Sequence, residues 1–250
     1  MIERSEQDGI VTLRLAHGKV SALDIELVDA IALALAEFQA SDARVLVLTG
    51  TGSTFSAGVD LIRLVDGGTE YVERLFPALA HMLLDLFSLP KPLIVAANGN
   101  AIAGGCIMTL AGDYRLMAAG KGRMGIPELL VSVPFPPTIL EAVRFAVPPQ
   151  HLQMLIYTGR TVLPEDALRL GLVDEVVEPA ALEERTLELA RHFARLPQRA
   201  FALAKRQVRD KIIGGAKHYA AELEGEALEL WRDPKTHQMI RDYLARTVKK

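Results

Sequence analysis

Leu93-Ile94-Val95-Ala96-Ala97, running into Asn98-Gly99-Asn100-Ala101-Ile102-Ala103-Gly104-Gly105, joins a short continuous apolar run to a loop of small residues. Such a run fits a strand covered on both faces, and the loop that follows leads into a helix starting near Cys106. Arg44-Val45-Leu46-Val47-Leu48-Thr49 repeats the pattern, passing through Gly50-Thr51-Gly52-Ser53 towards Phe55-Ser56-Ala57-Gly58-Val59-Asp60-Leu61. The two units form a weak internal repeat of buried strand, small-residue loop and helix. Around them the pattern predicts strands at Ile10 to Leu15, Tyr114 to Ala118 and Val173 to Val177. It also predicts a helix capped by Asp24 and running to about Phe38, and another over Glu70 to Phe87 that ends at Pro90-Lys91-Pro92. From about Leu182 to Thr247 the pattern is almost wholly helical, with breaks at Pro197 and Pro234. The expectation is an α/β core with a helical C-terminal part packed on it or on a neighbouring subunit.

The 250 residues are 50% hydrophobic and 24% charged, enough apolar material for a large core. A formal net charge of −3 supplies no broad positive field for a nucleic acid backbone or an anionic membrane surface, so an anionic ligand must be met locally. Aromatic residues make up only 6%, which also disfavours an RNA surface of interleaved aromatic and basic side chains. The single cysteine, Cys106, excludes an intramolecular disulfide framework and fits a reducing, cytoplasmic setting. Met1 to Asp8 lacks the features of a secretory signal, no apolar run is long enough to span a membrane, and Val248-Lys249-Lys250 is not a peroxisomal address.

At both loop-to-helix junctions backbone N–H groups are unpaired and can hold an anion. Read alone, the first junction is equally an ordinary turn in which Asp60 is a first-turn charge. Neither segment ends in the Gly-Lys-Ser/Thr of a phosphate loop, and Phe55 stands where a dinucleotide fingerprint needs its third glycine. The six histidines are scattered without a pair at metal spacing, so no metal is implied. Ser56 lacks the surroundings of an activated nucleophile, and Cys106, although it follows two glycines, is expected to be a small packing residue.

Phe55 to Leu61 and Asn98 to Cys106, with Asp113, Gly125-Ile126-Pro127-Glu128, Tyr157-Thr158-Gly159-Arg160, Ala167 to Leu172 and Val173 to Val177, resemble the crotonase (enoyl-CoA hydratase/isomerase) family in order and spacing. The likeness spans essentially the whole chain. It implies a ββα spiral core over 1–196 and a C-terminal helical oligomerisation region over 197–250 that builds a homotrimer or a dimer of trimers. It also implies an acyl-CoA substrate, with coenzyme A entering as part of that substrate and no separate cofactor. By the family pattern the main-chain N–H groups of Val59 and Gly104 receive the thioester oxygen and Glu128 is the acid–base residue. Substrate contacts are expected at Lys19, Ser21 and Ala22, at Ala57, Gly58, Asp60 and Leu61, and at Gly105 and Ile107. Lys19, in the loop His17 to Leu23, is the candidate for a CoA phosphate.

One departure bears on mechanism. Where hydratases of the family carry their other glutamate, this chain has Ile107. Hydration calls for two groups around one water, whereas moving a double bond from position 3 to position 2 needs a single base. Gly104 to Arg115 looks most like mitochondrial-type Δ3,Δ2-enoyl-CoA isomerases, which also carry an apolar residue there. Isomerisation is therefore the expected activity. The alternatives are hydration, other crotonase-type lyase or hydrolase chemistry, and a scaffold that merely binds acyl-CoA or RNA, for which Glu128 has no purpose.

Overall fold

The computed structural model describes residues 1–247, without the side chains of residues 216, 217 and 219–221. Residues 248–250, read above for a peroxisomal address and counted in the C-terminal region, lie outside the described residues.

The chain opens with a hairpin, β1 (Ile2–Gln7) and β2 (Ile10–Leu15), then α1 (Ile25–Ala40), whose first turn is capped by the Asp24 carboxylate accepting from Leu27 N at 2.8 Å. From there strands come in pairs: β3 (Val45–Gly50) with β4 (Thr54–Ser56), β5 (Leu93–Ala97) with β6 (Asn100–Ile102), and β7 (Tyr114–Ala118) with β8 (Met124–Gly125). The helices α2 (Leu61–Ser88) and α3 (Gly104–Leu110) follow the first two pairs, and a single 3-10 turn at Glu128–Val131 follows the third. Each winding thus adds one strand to each of two sheets, which is the ββα spiral. The larger sheet runs β1-β2-β3-β5-β7-β10, with β10 (Glu175–Val177) at one edge, and is parallel from β2 onward. The smaller runs β4-β6-β8-β9, closed by the antiparallel β9 (Thr161–Val162).

The continuous apolar runs are explained by burial on both sides. Leu46 and Leu48 face the main core, while Val45 and Val47 pack with Ile94, Ala96 and Leu116 under Leu182 and Ala190 of α7 (Leu182–Ala194). In α2 the buried Leu75, Phe76, Leu79, Met82, Leu83 and Leu86 recur at helical spacing. Its sequence signal begins only at Glu70 because the backbone leaves helical geometry at Gly68 (φ 61°), which separates the turns nearest the site from the long amphipathic part. Between β8 and β10 lie α4 (Pro137–Ala146), α5 (Pro149–Thr158) and α6 (Pro164–Arg169), each with proline at its start.

The prolines at 197 and 234 mark the boundaries of the last two helices, α8 (Gln198–Arg232) and α9 (Pro234–Thr247). Both fold back on the chain's own core, α8 against α4 and α2, α9 against α2 and the turn that carries Glu128. A buried charge cluster fastens α8: Lys205 Nζ lies 2.6 Å and Arg209 Nη2 2.9 Å from the Asp113 carboxylate, which also accepts from Leu93 N at 2.8 Å. The Arg209 guanidinium stacks over Phe87, 4.4 Å from the ring centre. Removing the carboxylate leaves two cations without their counter-charge. Asp113→Ala is therefore expected to lower stability by about 3–5 kcal/mol. Urea unfolding checks this, and a loss below about 1 kcal/mol would mean that the cluster does not hold α8.

Candidate active site

Four segments remote in sequence converge on one cavity of about 440 Å³. The loop before α1 brings Val20 and Ala22, and the β4–α2 junction brings Ala57, Val59, Asp60 and Leu61. The β6–α3 junction adds Ile102, Ala103, Gly104 and Ile107, and the turn after β8 adds Glu128. Eight of the twelve residues expected at the site line this cavity: Ala22, Ala57, Val59, Asp60, Leu61, Gly104, Ile107 and Glu128. Lys19, Ser21, Gly58 and Gly105 do not. Lys19 is exposed in its turn, and the other three are buried.

Those three shape the backbone. Ser21, at φ 44°, places its carbonyl to accept from Ser56 Oγ at 2.8 Å, and the same Ser56 oxygen accepts from Gly58 N at 3.2 Å. Ala57 N donates to Val20 O, and Leu23 N and Asp60 N bond to Gly58 O and Leu23 O, so the main chain on either side of Val59 is tied. Ser56 is fully buried with its hydroxyl engaged, a loop clamp and not a nucleophile. Among the described residues the Val59 and Gly104 amides have no acceptor.

Close packing brings the two junctions together. A Cβ on Gly58, which sits at φ +78°, would lie 2.6 Å from Ala103 Cβ, 2.9 Å from Ile102 O and 3.0 Å from Gly104 N. One on Gly105 would clash with Ser56 O. Ala103, at φ 54°, holds a conformation that favours glycine and turns β6 sharply into α3. Such strain costs on the order of 1–3 kcal/mol and persists only where the surroundings enforce it. Here Ala103 N donates to Gly125 O at 2.9 Å, and Ala103 O accepts from Ile107 N at 3.0 Å.

Glu128 opens the 3-10 turn, and its own carbonyl accepts from Val133 N at 3.1 Å. The residue is half-buried, yet its Oε2 is shut off from solvent and has no hydrogen-bond partner among the described residues. Burial pushes the carboxyl up to about 8, only partly offset by a backbone N–H. A carboxyl on a cavity wall with one oxygen unpartnered is poised to exchange a proton near neutral pH. The other carboxylate on the wall, Asp60, accepts from Ile62 N and Arg63 N at 3.0 Å each and caps α2. Ile107 presents a hydrocarbon side chain, 5% exposed, to the same cavity.

Cys106 is fully buried, and that burial pushes its thiol up, so it is a packing residue. Among the described residues no group of His, Cys, Asp and Glu is placed to hold a metal, and no helix is long and apolar enough to cross a membrane. The rest of the wall was not legible in the sequence. Leu79 and Leu83 of α2, Phe135, and Trp231, Tyr243 and Leu244 of the last two helices line the cavity, and each carries the signal of an ordinary core residue.

The sequence profile described as enoyl-CoA hydratase/isomerase matches residues 5–241. The chain is 33% identical over 236 residues to carnitinyl-CoA dehydratase of Salmonella arizonae, covering 88% of this chain and 89% of that one. It is 26% identical over 212 residues to the mitochondrial enoyl-CoA delta isomerase 1 of Rattus norvegicus, covering 84% and 73%. Among solved structures, a probable enoyl-CoA hydratase from Mycobacterium tuberculosis matches with a TM-score of 0.84 at 28% identity over 90% of this chain and 95% of that one. Human mitochondrial delta3-delta2-enoyl-CoA isomerase matches with a TM-score of 0.93 over 99% and 98%; at 20% identity this is a likeness of fold, C-terminal helices included. The names of these relatives divide between dehydratase, hydratase and isomerase, but one profile spans nearly the whole length, and the chain belongs to the enoyl-CoA hydratase/isomerase family.

Proposed function

We propose that this protein is a Δ3,Δ2-enoyl-CoA isomerase. The observation that carries the reading is a cavity wall with one carboxyl not engaged in capping, that of Glu128 with its Oε2 unpartnered, and with Ile107 at the place of a second. Ionised Glu128 takes a proton from carbon 2 of a 3-enoyl thioester, the electron pair moves into the thioester, and negative charge collects on the carbonyl oxygen. The Val59 and Gly104 amides, fixed by the packing around Gly58, stabilise that oxygen without having to reorganise. Protonated Glu128 then returns the proton at carbon 4, the double bond settles between carbons 2 and 3, and the base is regenerated. No water enters the balance, and coenzyme A serves only as the carrier of the acyl group.

The relatives named as dehydratases and hydratases favour a second reading, addition or loss of water. A single purified preparation separates the two. Isomerisation of 3-enoyl-CoA is expected to exceed hydration of crotonyl-CoA by at least about 100-fold, the lower contribution of one acid–base group. Rapid hydration without isomerisation would replace the proposal with the hydratase reading. Assembly in threes, implied by the family pattern, belongs to the same proposal and is supported by apolar side chains left exposed on the last two helices at Leu203, Val208 and Met239.

A further inference from the structure

Apart from Glu128, the helix-capping Asp60, and Tyr243 and Thr247, the cavity wall is hydrocarbon and aromatic, built largely from residues such as Leu79, Leu83, Val133, Phe135 and Trp231. A charged or hydroxylated acyl tail would lose its hydration against such a wall and find little in exchange, whereas a plain aliphatic tail gains by burial.

Trp231 differs from the other wall residues in being held from three sides. Its Nε1–H donates to Pro134 O at 2.7 Å, its ring meets Phe76 edge-on with centroids 5.2 Å apart, and its carbonyl accepts from His237 Nε2 at 2.9 Å. The residue is 2% exposed, and the neighbouring Arg232 pairs with Glu73 of α2 at 2.8 Å, so the end of α8 is fastened as well. A leucine in a wall can change rotamer to admit one more methylene. An indole fixed at its nitrogen, its ring and its backbone cannot.

We propose that Trp231 is the specificity-determining residue of this site: its locked indole limits the length of a straight-chain aliphatic acyl group. The inference rests on the reading of the cavity as an acyl-CoA site, but not on which reaction occurs there. The test is kcat/KM for six-, eight-, ten- and twelve-carbon enoyl-CoA substrates of whichever reaction the protein catalyses. Trp231→Leu is expected to raise the twelve- over six-carbon ratio by at least about tenfold, since one methylene accepted or rejected by an apolar pocket is worth roughly 10–200-fold. A folded variant with an unchanged ratio overturns the proposal.

A measurement on the unmodified protein keeps the idea testable if that variant does not fold. Trp231 is the sole tryptophan, so emission excited selectively in the tryptophan band reports on this wall alone. Titration with saturated acyl-CoAs is expected to leave the emission maximum unchanged for acetyl-CoA and to shift it once the tail reaches the indole. An unchanged maximum for every chain length, with calorimetry showing that all of them bind, overturns the role of Trp231. Calorimetry showing no binding of any acyl-CoA overturns the acyl-CoA reading itself, and the inference with it.

Discussion

Glu128→Gln is expected to cut isomerase turnover at least about 100-fold while the protein folds and still binds acyl-CoA, because the amide keeps the shape of the side chain and cannot accept the proton. The same substitution is expected to make the fold more stable. The Glu128 carboxyl is pushed up from an ordinary 4.5 to about 8 by burial, with Oε2 unpartnered among the described residues. Between those two pH values the unfolded chain has released this proton and the native chain still holds it, so the native state binds more protons and this contribution to stability falls as pH rises. The glutamine variant has no such loss. Its advantage over the wild type is therefore absent below pH about 4.5, grows through neutrality and levels off above about 8. In the wild type, kcat/KM rises with pH through the same upper value, since the reactive form is the ionised one. Urea unfolding of both proteins at pH 4 and pH 8, beside a pH–rate profile of the wild type, checks all three statements. A variant that keeps near wild-type turnover removes Glu128 from the mechanism, and parallel stability curves would mean that the carboxyl is not buried as described.

Burial and element length account for much of what was legible in the sequence and what was not. The inner strands β3 and β5 of the larger sheet were visible because both faces are buried, so they read as unbroken apolar runs with the observed ends to within a residue. The edge strand β1 was missed since five of its six residues are exposed and only its backbone bonds to β2 define it. The smaller sheet was missed for a different reason: its strands are two or three residues long, too short for any periodicity, and are set by the windings around them. At the site, chain-local features were readable. The glycines, Asp60, Glu128 and Ile107 stand in motifs whose order and spacing point to a family. The wall contributed by Leu83, Trp231 and Leu244 was not readable, because an apolar residue on an amphipathic helix carries no mark of whether it faces a core or a cavity.

Gly58 is where backbone freedom and chemistry coincide, and Gly58→Ala is expected to lower turnover by about 100- to 1,000-fold, the effect of losing one donor to a developing oxyanion. The new methyl would sit 2.6 Å from Ala103 Cβ and 2.9 Å from Ile102 O, neither of which is the free end of a flexible chain. The two junctions must then move apart, and with them the Val59 and Gly104 amides. A positive φ of +78° adds strain of its own, so a control is needed that carries the strain without the contact. Gly52 provides it: φ is +62°, and a Cβ there meets nothing within 4 Å. Gly52→Ala is expected to lose about 1–2 kcal/mol of stability, the cost of a left-handed backbone with a Cβ, and to leave turnover intact. Saturating kcat for the two variants, with circular dichroism to confirm that each is folded, separates the readings. If Gly58→Ala turns over within a few-fold of the wild type, the amides do not act as a pair; if Gly52→Ala is equally damaging, strain alone explains the loss and the contact between the junctions explains none of it.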